Sequence, residues 1–171
     1  MNKIYLTNDD IQKYVSTIVS QMYKDNWRPD YIVGITRGGL IPAVMLSQFT
    51  GIKMHTLDVR LRDGDEKESN LWMADDAQAG KNILIVDDIN DTGATFNWIM
   101  DDWDGGNDYF DQIMNAGDVS HGDSPDNANV RFAVLMDNIA SDCKVNMSYI
   151  GTEINKTDDP SWIVFPWEEW W

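Results

Sequence analysis

Four consecutive aliphatic residues, Ile83-Leu84-Ile85-Val86, run directly into a pair of aspartates, Asp87-Asp88. A run without polar alternation suits a strand buried on both faces, and such strands belong to parallel sheets covered by helices on either side. Apolar runs at 31–35 and 130–136, an alternating stretch at 54–59 and a weaker segment at 147–154 supply further strands. Helical spacing separates them. Ile11, Tyr14, Val15, Ile18, Val19 and Met22 follow an N-cap at Thr7, and 40–49 and 95–103 read as two more helices. The alternation predicts an α/β domain, a parallel sheet of about five strands flanked by helices, with a small hood from C-terminal and loop segments.

At 171 residues the chain is long enough for one domain with a real core and short for two, so 1–171 reads as a single domain. Thirteen Lys and Arg against 29 Asp and Glu leave a net charge of −16. A surface this acidic repels phosphate backbones and anionic lipid, which argues against nucleic acid or membrane as a partner. No apolar run approaches the roughly 18 residues of a spanning helix. The first residues soon turn polar without a signal-peptide core, so the expected location is cytoplasmic. Cys143 alone cannot form an internal disulfide, and His55 and His121 are too few for a His-rich metal centre. The polar stretch 61–82 is expected to form a covering loop or small covering subdomain, and 104–128 is rich in Asp, Asn and Gly with one helix-like piece at 109–114.

In open α/β sheets ligands sit beyond the carboxyl ends of the strands, and two strand ends here carry unusual residues. The first is Gly34-Ile35-Thr36-Arg37-Gly38-Gly39. Adjacent glycines between a strand and a helix let successive amides point at one anion, and Arg37 offers a bidentate donor to phosphate oxygens. Leu40 follows Gly39 where a Walker A loop would have lysine, and no G-x-G-x-x-G occurs. The second is Asp87-Asp88-Ile89-Asn90-Asp91-Thr92-Gly93-Ala94-Thr95. Paired carboxylates can accept from vicinal hydroxyls or hold a hard cation. Thr92, Gly93, Ala94 and Thr95 then open a helix with hydroxyls and amides suited to a phosphate.

Residues 83–95 resemble the 5-phosphoribosyl-1-pyrophosphate (PRPP) signature of the type I phosphoribosyltransferases. Thr36-Arg37-Gly38-Gly39 resembles their pyrophosphate loop, and Trp162-Ile163-Val164-Phe165-Pro166-Trp167-Glu168 is similar to the base-binding segment of the bacterial xanthine–guanine enzymes. The resemblance implies that Asp87 and Asp88 take the ribose hydroxyls. Asp91, Thr92, Gly93, Ala94 and Thr95 would form the 5′-phosphate loop, with Asp91 also the general base near the purine N7. Thr36, Arg37, Gly38 and Gly39 would hold pyrophosphate, with a non-proline cis peptide before the arginine. Trp162 would stack on the base, Ile163 would contact it through its backbone, and Glu168 would lie near its exocyclic group. Mg²⁺ would bridge pyrophosphate and ribose oxygens, with Asp87 and Asp88 as its protein neighbours, directly or through water. Asp58 and Arg60, just before the covering stretch, are candidates to face the site, with Arg60 alone a candidate for pyrophosphate contact. Relatives form dimers or tetramers, so a homo-oligomer is expected.

The pattern also departs from the family. The 6-oxopurine enzymes usually carry a lysine, donating to the base O6, where this chain has Met136-Asp137-Asn138. That leaves Asp137 as a base-pocket candidate. It also leaves three ways to satisfy position 6: the Asn138 amide, a folded-back Lys144, or a base that itself offers a donor, as adenine does. Residues 104–128 read as an insertion and 155–171 as the base-binding hood segment. The resemblance thus implies an enzyme of purine salvage. It would transfer 5-phosphoribose from PRPP to a purine, with guanine, xanthine or hypoxanthine ahead of adenine or a pyrimidine, and release pyrophosphate. A non-catalytic PRPP or nucleotide sensor is the rival.

Overall fold

The computed structural model describes residues 2–59, 71–104 and 129–169. Its main sheet has the order β3-β2-β4-β5-β6, built from β2 (Tyr31–Thr36), β3 (Met54–Asp58), β4 (Ile83–Asn90), β5 (Val130–Asn138) and β6 (Tyr149–Ile154), and every neighbouring pair is parallel. This is the sheet expected from the continuous apolar runs. Alternate residues of β4 serve opposite faces: Ile83 and Ile85 join one core cluster, Leu84 and Val86 the other.

The second face is covered by α1 (Asn8–Lys24) and α2 (Leu40–Thr50), through Ile11, Val15, Ile18, Ala43 and Leu46. Thr7 starts α1 with a reciprocal capping box to Asp10. The first face is covered by α3 (Leu71–Gln78) and α4 (Ala94–Asp104), through Met73, Ala77, Phe96, Ile99 and Trp103. The second half of 61–82 is therefore a core helix rather than a cover, while 60–70 lie outside the described residues. So do 105–128, the bulk of the expected insertion, and with them His121; Arg60, Trp170 and Trp171 also lie outside.

A second sheet pairs β1 (Lys3–Tyr5) in parallel with β7 (Trp162–Val164), in the register Lys3↔Trp162 to Tyr5↔Val164. The N-terminus thereby builds half of a hood that the sequence reading assigns to C-terminal and loop segments. Among the described residues no helix is long and apolar enough to cross a membrane.

Candidate active site

The sheet order places a switch point between β2 and β4, because the chain leaves β2 toward β3 on one side and returns through β4 on the other. The β2–β4 ladder stops at Gly34↔Val86, while β2 continues against β3 to Thr36↔Asp58 and β4 against β5 to Asn90↔Asp137. The two strands thus part beyond Val86. Asp87 and Asp88 do not end β4, as the sequence pattern suggests; they lie inside it, on the stretch that has lost its β2 neighbour.

A cleft of about 1040 Å³ opens there, lined by Thr36, Arg37 and Gly38 after β2, by residues 87–96 from β4 into α4, and by Lys156, Trp162, Ile163, Phe165, Trp167 and Glu168 from the hood. Of the site residues expected from the sequence, Gly39, Asp58, Asp137, Asn138 and Lys144 do not line it, and Arg60 lies outside the described residues; the others do. Gly39 is buried behind the loop, where a Cβ would collide with the Val86 carbonyl oxygen. Gly38 lies so close to the Asp88 carboxylate that a Cβ would overlap it. The glycine pair therefore lets the β2 loop pack against the acidic end of β4. The Thr36–Arg37 peptide bond is cis, as the resemblance implies. Thr36 Oγ1 donates to Asp58 Oδ1 at 2.9 Å, so Asp58 orients the first residue of that loop.

The acidic pair carries the strongest electrostatic signal. Burial, then the charge of Asp88, holds the Asp87 carboxyl well above its ordinary value. Asp88 is pushed up to about 6 by burial and by the negative charge of Glu168. Hydroxyl donors or a cation at this pair would favour its charged form. Two oxygen-donor carboxylates suit Mg²⁺, which binds few protein groups and completes its shell with water and substrate oxygens. Among the described residues no group of three or more His, Cys, Asp or Glu could hold a metal unaided.

The α4 N-terminus is braced from behind by residues 138–144. Gly93 has φ of 84°, and a Cβ there would strike the backbone of Cys143. Asp142 N–H donates to the Thr92 carbonyl at 3.2 Å, and Asn97 Nδ2 to the Asp142 carbonyl at 3.0 Å. Burial pushes the Cys143 thiol up to about 11, so it stays a neutral packing group.

The end of β5 differs most from expectation. Asp137 is 4% exposed and accepts from Asn90 Nδ2 at 2.7 Å, so it faces Asn90 and not the cleft. The strand continues two residues past Met136, so what reads as a polar strand end is a buried polar stretch of strand. Asn138 is also buried: its Nδ2 donates to the Asp91 carbonyl, and its Oδ1 accepts from the N–H groups of Ala140 and Lys156. Lys144 is exposed, with its N–H on Asn97 Oδ1, and is not among the cleft residues.

Lys156, which sequence reasoning missed, enters the cleft instead. Its Nζ lies 3.0 Å from Asp91 Oδ1 and 5.6 Å from the Trp162 ring centre. A lone lysine in a polar connection carries no local signal; only the short path from β6 to the tryptophan segment hints at it. Glu168 Oε2 accepts from Phe165 N–H at 2.8 Å, which fixes the hood turn, and Trp167 stacks on Phe165 with ring centres 5.0 Å apart.

The family described as phosphoribosyl transferase domain matches residues 1–103. The xanthine-guanine phosphoribosyltransferase of Vibrio vulnificus is 31% identical, over 55% of this chain and 61% of its own. Xanthine phosphoribosyltransferase 1 of Saccharomyces cerevisiae is 25% identical, over 57% of this chain and 58% of its own. The chain thus spans less than two thirds of the length of these curated relatives. Among solved structures, the purine phosphoribosyltransferase of Pyrococcus horikoshii is 26% identical with a TM-score of 0.66, covering 99% of this chain and 95% of that one. A xanthine-guanine-hypoxanthine phosphoribosyltransferase of Helicobacter pylori, 16% identical with a TM-score of 0.63 over 98% and 94%, shares the fold.

Proposed function

Because the chain belongs to the phosphoribosyl transferase domain family, we propose that it transfers 5-phosphoribose from PRPP to a purine base, releasing pyrophosphate and the nucleoside monophosphate. One observation carries this reading. A carboxylate pair, a helix N-terminus with its phosphate-type loop, and an Arg-Gly turn converge on one switch-point cleft, with an aromatic hood beside them. A sugar diol, a 5′-phosphate, a pyrophosphate and a flat base are the four groups such a cleft suits.

In this reading Asp87 and Asp88 accept hydrogen bonds from the ribose 2′- and 3′-hydroxyls. Thr92, Gly93, Ala94 and Thr95 hold the 5′-phosphate at the start of α4. Thr36, Arg37 and Gly38 hold the pyrophosphate, whose negative charge grows as the bond to C1′ breaks, and Arg37 stabilises that charge. Asp87 and Asp88 would hold Mg²⁺, directly or through water, and the bound ion would add to the neutralisation of the leaving group's charge. Trp162 stacks on the base and the Ile163 backbone meets its edge. Asp91 accepts the proton that the purine loses from N7 as N9 forms the new bond to C1′. Glu168 acts from the rim, as the residue that fixes the turn after Phe165. The exposed apolar residues Ile41, Val44 and Phe49 of α2 support association with a second copy of the chain.

The test is Mg²⁺-dependent nucleotide formation from PRPP with guanine, xanthine, hypoxanthine, adenine, uracil and orotate side by side. A purine nucleotide as the main product supports the reading. Binding of PRPP with turnover of none of the six would make the chain a sensor.

A further inference from the structure

We infer that Lys156 is the residue that selects the substituent at position 6 of the base, and that it selects a 6-oxo over a 6-amino purine; this rests on the purine-transfer reading above. The side chains at the end of β5 are already committed to other partners. Asn138 spends its amide on the Asp91 carbonyl at 2.7 Å and its oxygen on two backbone N–H groups. Asp137 faces Asn90. Lys144 lies outside the cleft. None of the three ways of meeting position 6 that the sequence leaves open is therefore built here by a side chain of that segment.

The cleft does contain an ammonium group. Lys156 is largely buried, its side chain 18% exposed, and its Nζ sits between the Asp91 carboxylate and the Trp162 ring. Its backbone is pinned by Asn138, the same side chain that pins Asp91, so one buried amide sets the spacing of the two charges. An acceptor and a donor 3.0 Å apart, beside a ring on which a base could stack, match the N7–H and O6 of a free 6-oxopurine, which are neighbours on one edge. Adenine presents an amino donor at that position. Against Lys156 it would set donor against donor, and a buried polar contact left unmade costs more than a made one contributes.

IMP and AMP differ at position 6 and in the proton on N1, so the part of their affinity ratio that depends on Lys156 isolates the effect. Calorimetric titration of the full chain with each should give IMP tighter by roughly tenfold or more, the range expected for a hydrogen bond from a charged donor. Lys156→Met should lose that preference, chiefly by weakening IMP. Lys156→Arg, which keeps a cationic donor, should retain most of it, and Lys144→Met should retain all of it. Wild-type protein with no preference, or Lys156→Met with the wild-type ratio, would overturn the inference. A preference for IMP that depends on Lys156, in protein that forms no nucleotide from PRPP, would uphold it while refuting the transfer reading. Nucleotide formation with adenine as the favoured base would do the reverse.

Discussion

The side-chain amide of Asn138 donates to the backbone carbonyl of Asp91 at 2.7 Å, tying the last residue of β5 to the loop after β4. The same side chain receives the N–H of Lys156 at 3.0 Å, so three segments of the cleft meet at one buried asparagine. Asn138→Ala would leave a carbonyl and two N–H groups short of a partner. Each unsatisfied buried group costs about 1–3 kcal/mol, part of which water recovers at the cleft rim. Chemical denaturation should show a loss of about 2 kcal/mol or more, and turnover of the folded variant should fall as well. Unchanged stability would mean that the loop is held by other contacts. Asn138→Lys, which restores the residue type expected in relatives, should lower rather than raise hypoxanthine turnover, since lysine cannot accept from Lys156 and Ala140.

Gly93 gives a second test, and the structure changes its meaning. From sequence alone, a side chain there would be expected to block a phosphate. The geometry adds that the Cβ would meet the Cys143 backbone at a φ of 84°. Gly93→Ala should therefore lower thermal stability, by at least about 1 kcal/mol for the unfavourable φ alone. Loss of PRPP affinity with an unchanged melting temperature would assign Gly93 to the ligand and not to the packing.

The sheet was legible because strands buried on both faces cannot alternate, and the runs at 31–35, 83–86 and 130–136 announce themselves. What escaped has physical reasons. β1 is three residues long with each side chain exposed, so no hydrophobic pattern marks it. The core contacts of α3, Met73, Ala74 and Ala77, sit in a charged stretch whose composition argues for a loop. Asp87, Asp88, Asp137 and Asn138 read as strand ends because burial of polar groups is costly, yet the strands run on through them. Arg131 is an anomaly in an otherwise apolar run, and nothing local in the sequence names its partner.

That anomaly resolves at the end of the sheet away from the cleft. Arg131 is 4% exposed, pairs with Asp25 after α1, donates to Tyr149 Oη at 2.7 Å and stacks 4.6 Å from the Trp27 ring centre. Tyr149 in turn donates to Asp25 at 2.7 Å. Arg131→Met should cost about 2 kcal/mol, because it strips charge-assisted bonds from a largely dry site. Per folded molecule, PRPP affinity should not change. A large loss of affinity at unchanged stability would show coupling from this end of the sheet to the cleft.

The acidic pair predicts a pH dependence of definite sign. Asp88 titrates at about 6, above its ordinary value, and Asp87 is also raised. A group whose folded value is raised favours the fold when protonated. Its contribution is complete below the ordinary carboxylate range, and it is lost as pH rises through about 6. A tenfold change in proton affinity is worth about 1.4 kcal/mol, and partial exposure to solvent reduces that figure. The wild-type melting temperature should therefore fall between pH 5 and 7.5 by roughly 3 °C more than that of Asp88→Asn. Mg²⁺ with PRPP should restabilise the wild type more at the upper pH, where Asp88 is charged. Identical pH slopes for the two proteins would remove the acidic pair as the source.

Asp91 separates binding from chemistry. Its carboxylate is held 3.0 Å from Lys156, while at the start of α4 Ala94 N–H donates to Thr92 Oγ1 at 3.3 Å. The Asp91 side chain is thus turned toward the hood, where the base would lie, as a proton acceptor must be. Asp91→Asn keeps the shape and the backbone bond to Asn138, but it no longer carries a carboxylate to take the N7 proton. Turnover should drop by ~10²-fold or more, with PRPP affinity nearly unchanged and KM for the base changed far less than kcat. Steady-state kinetics with hypoxanthine as the varied substrate, beside direct PRPP titration, distinguish the outcomes. Equal losses in PRPP affinity and turnover would make Asp91 a phosphate-loop residue. A wild-type kcat would leave it the partner that holds Lys156 in place.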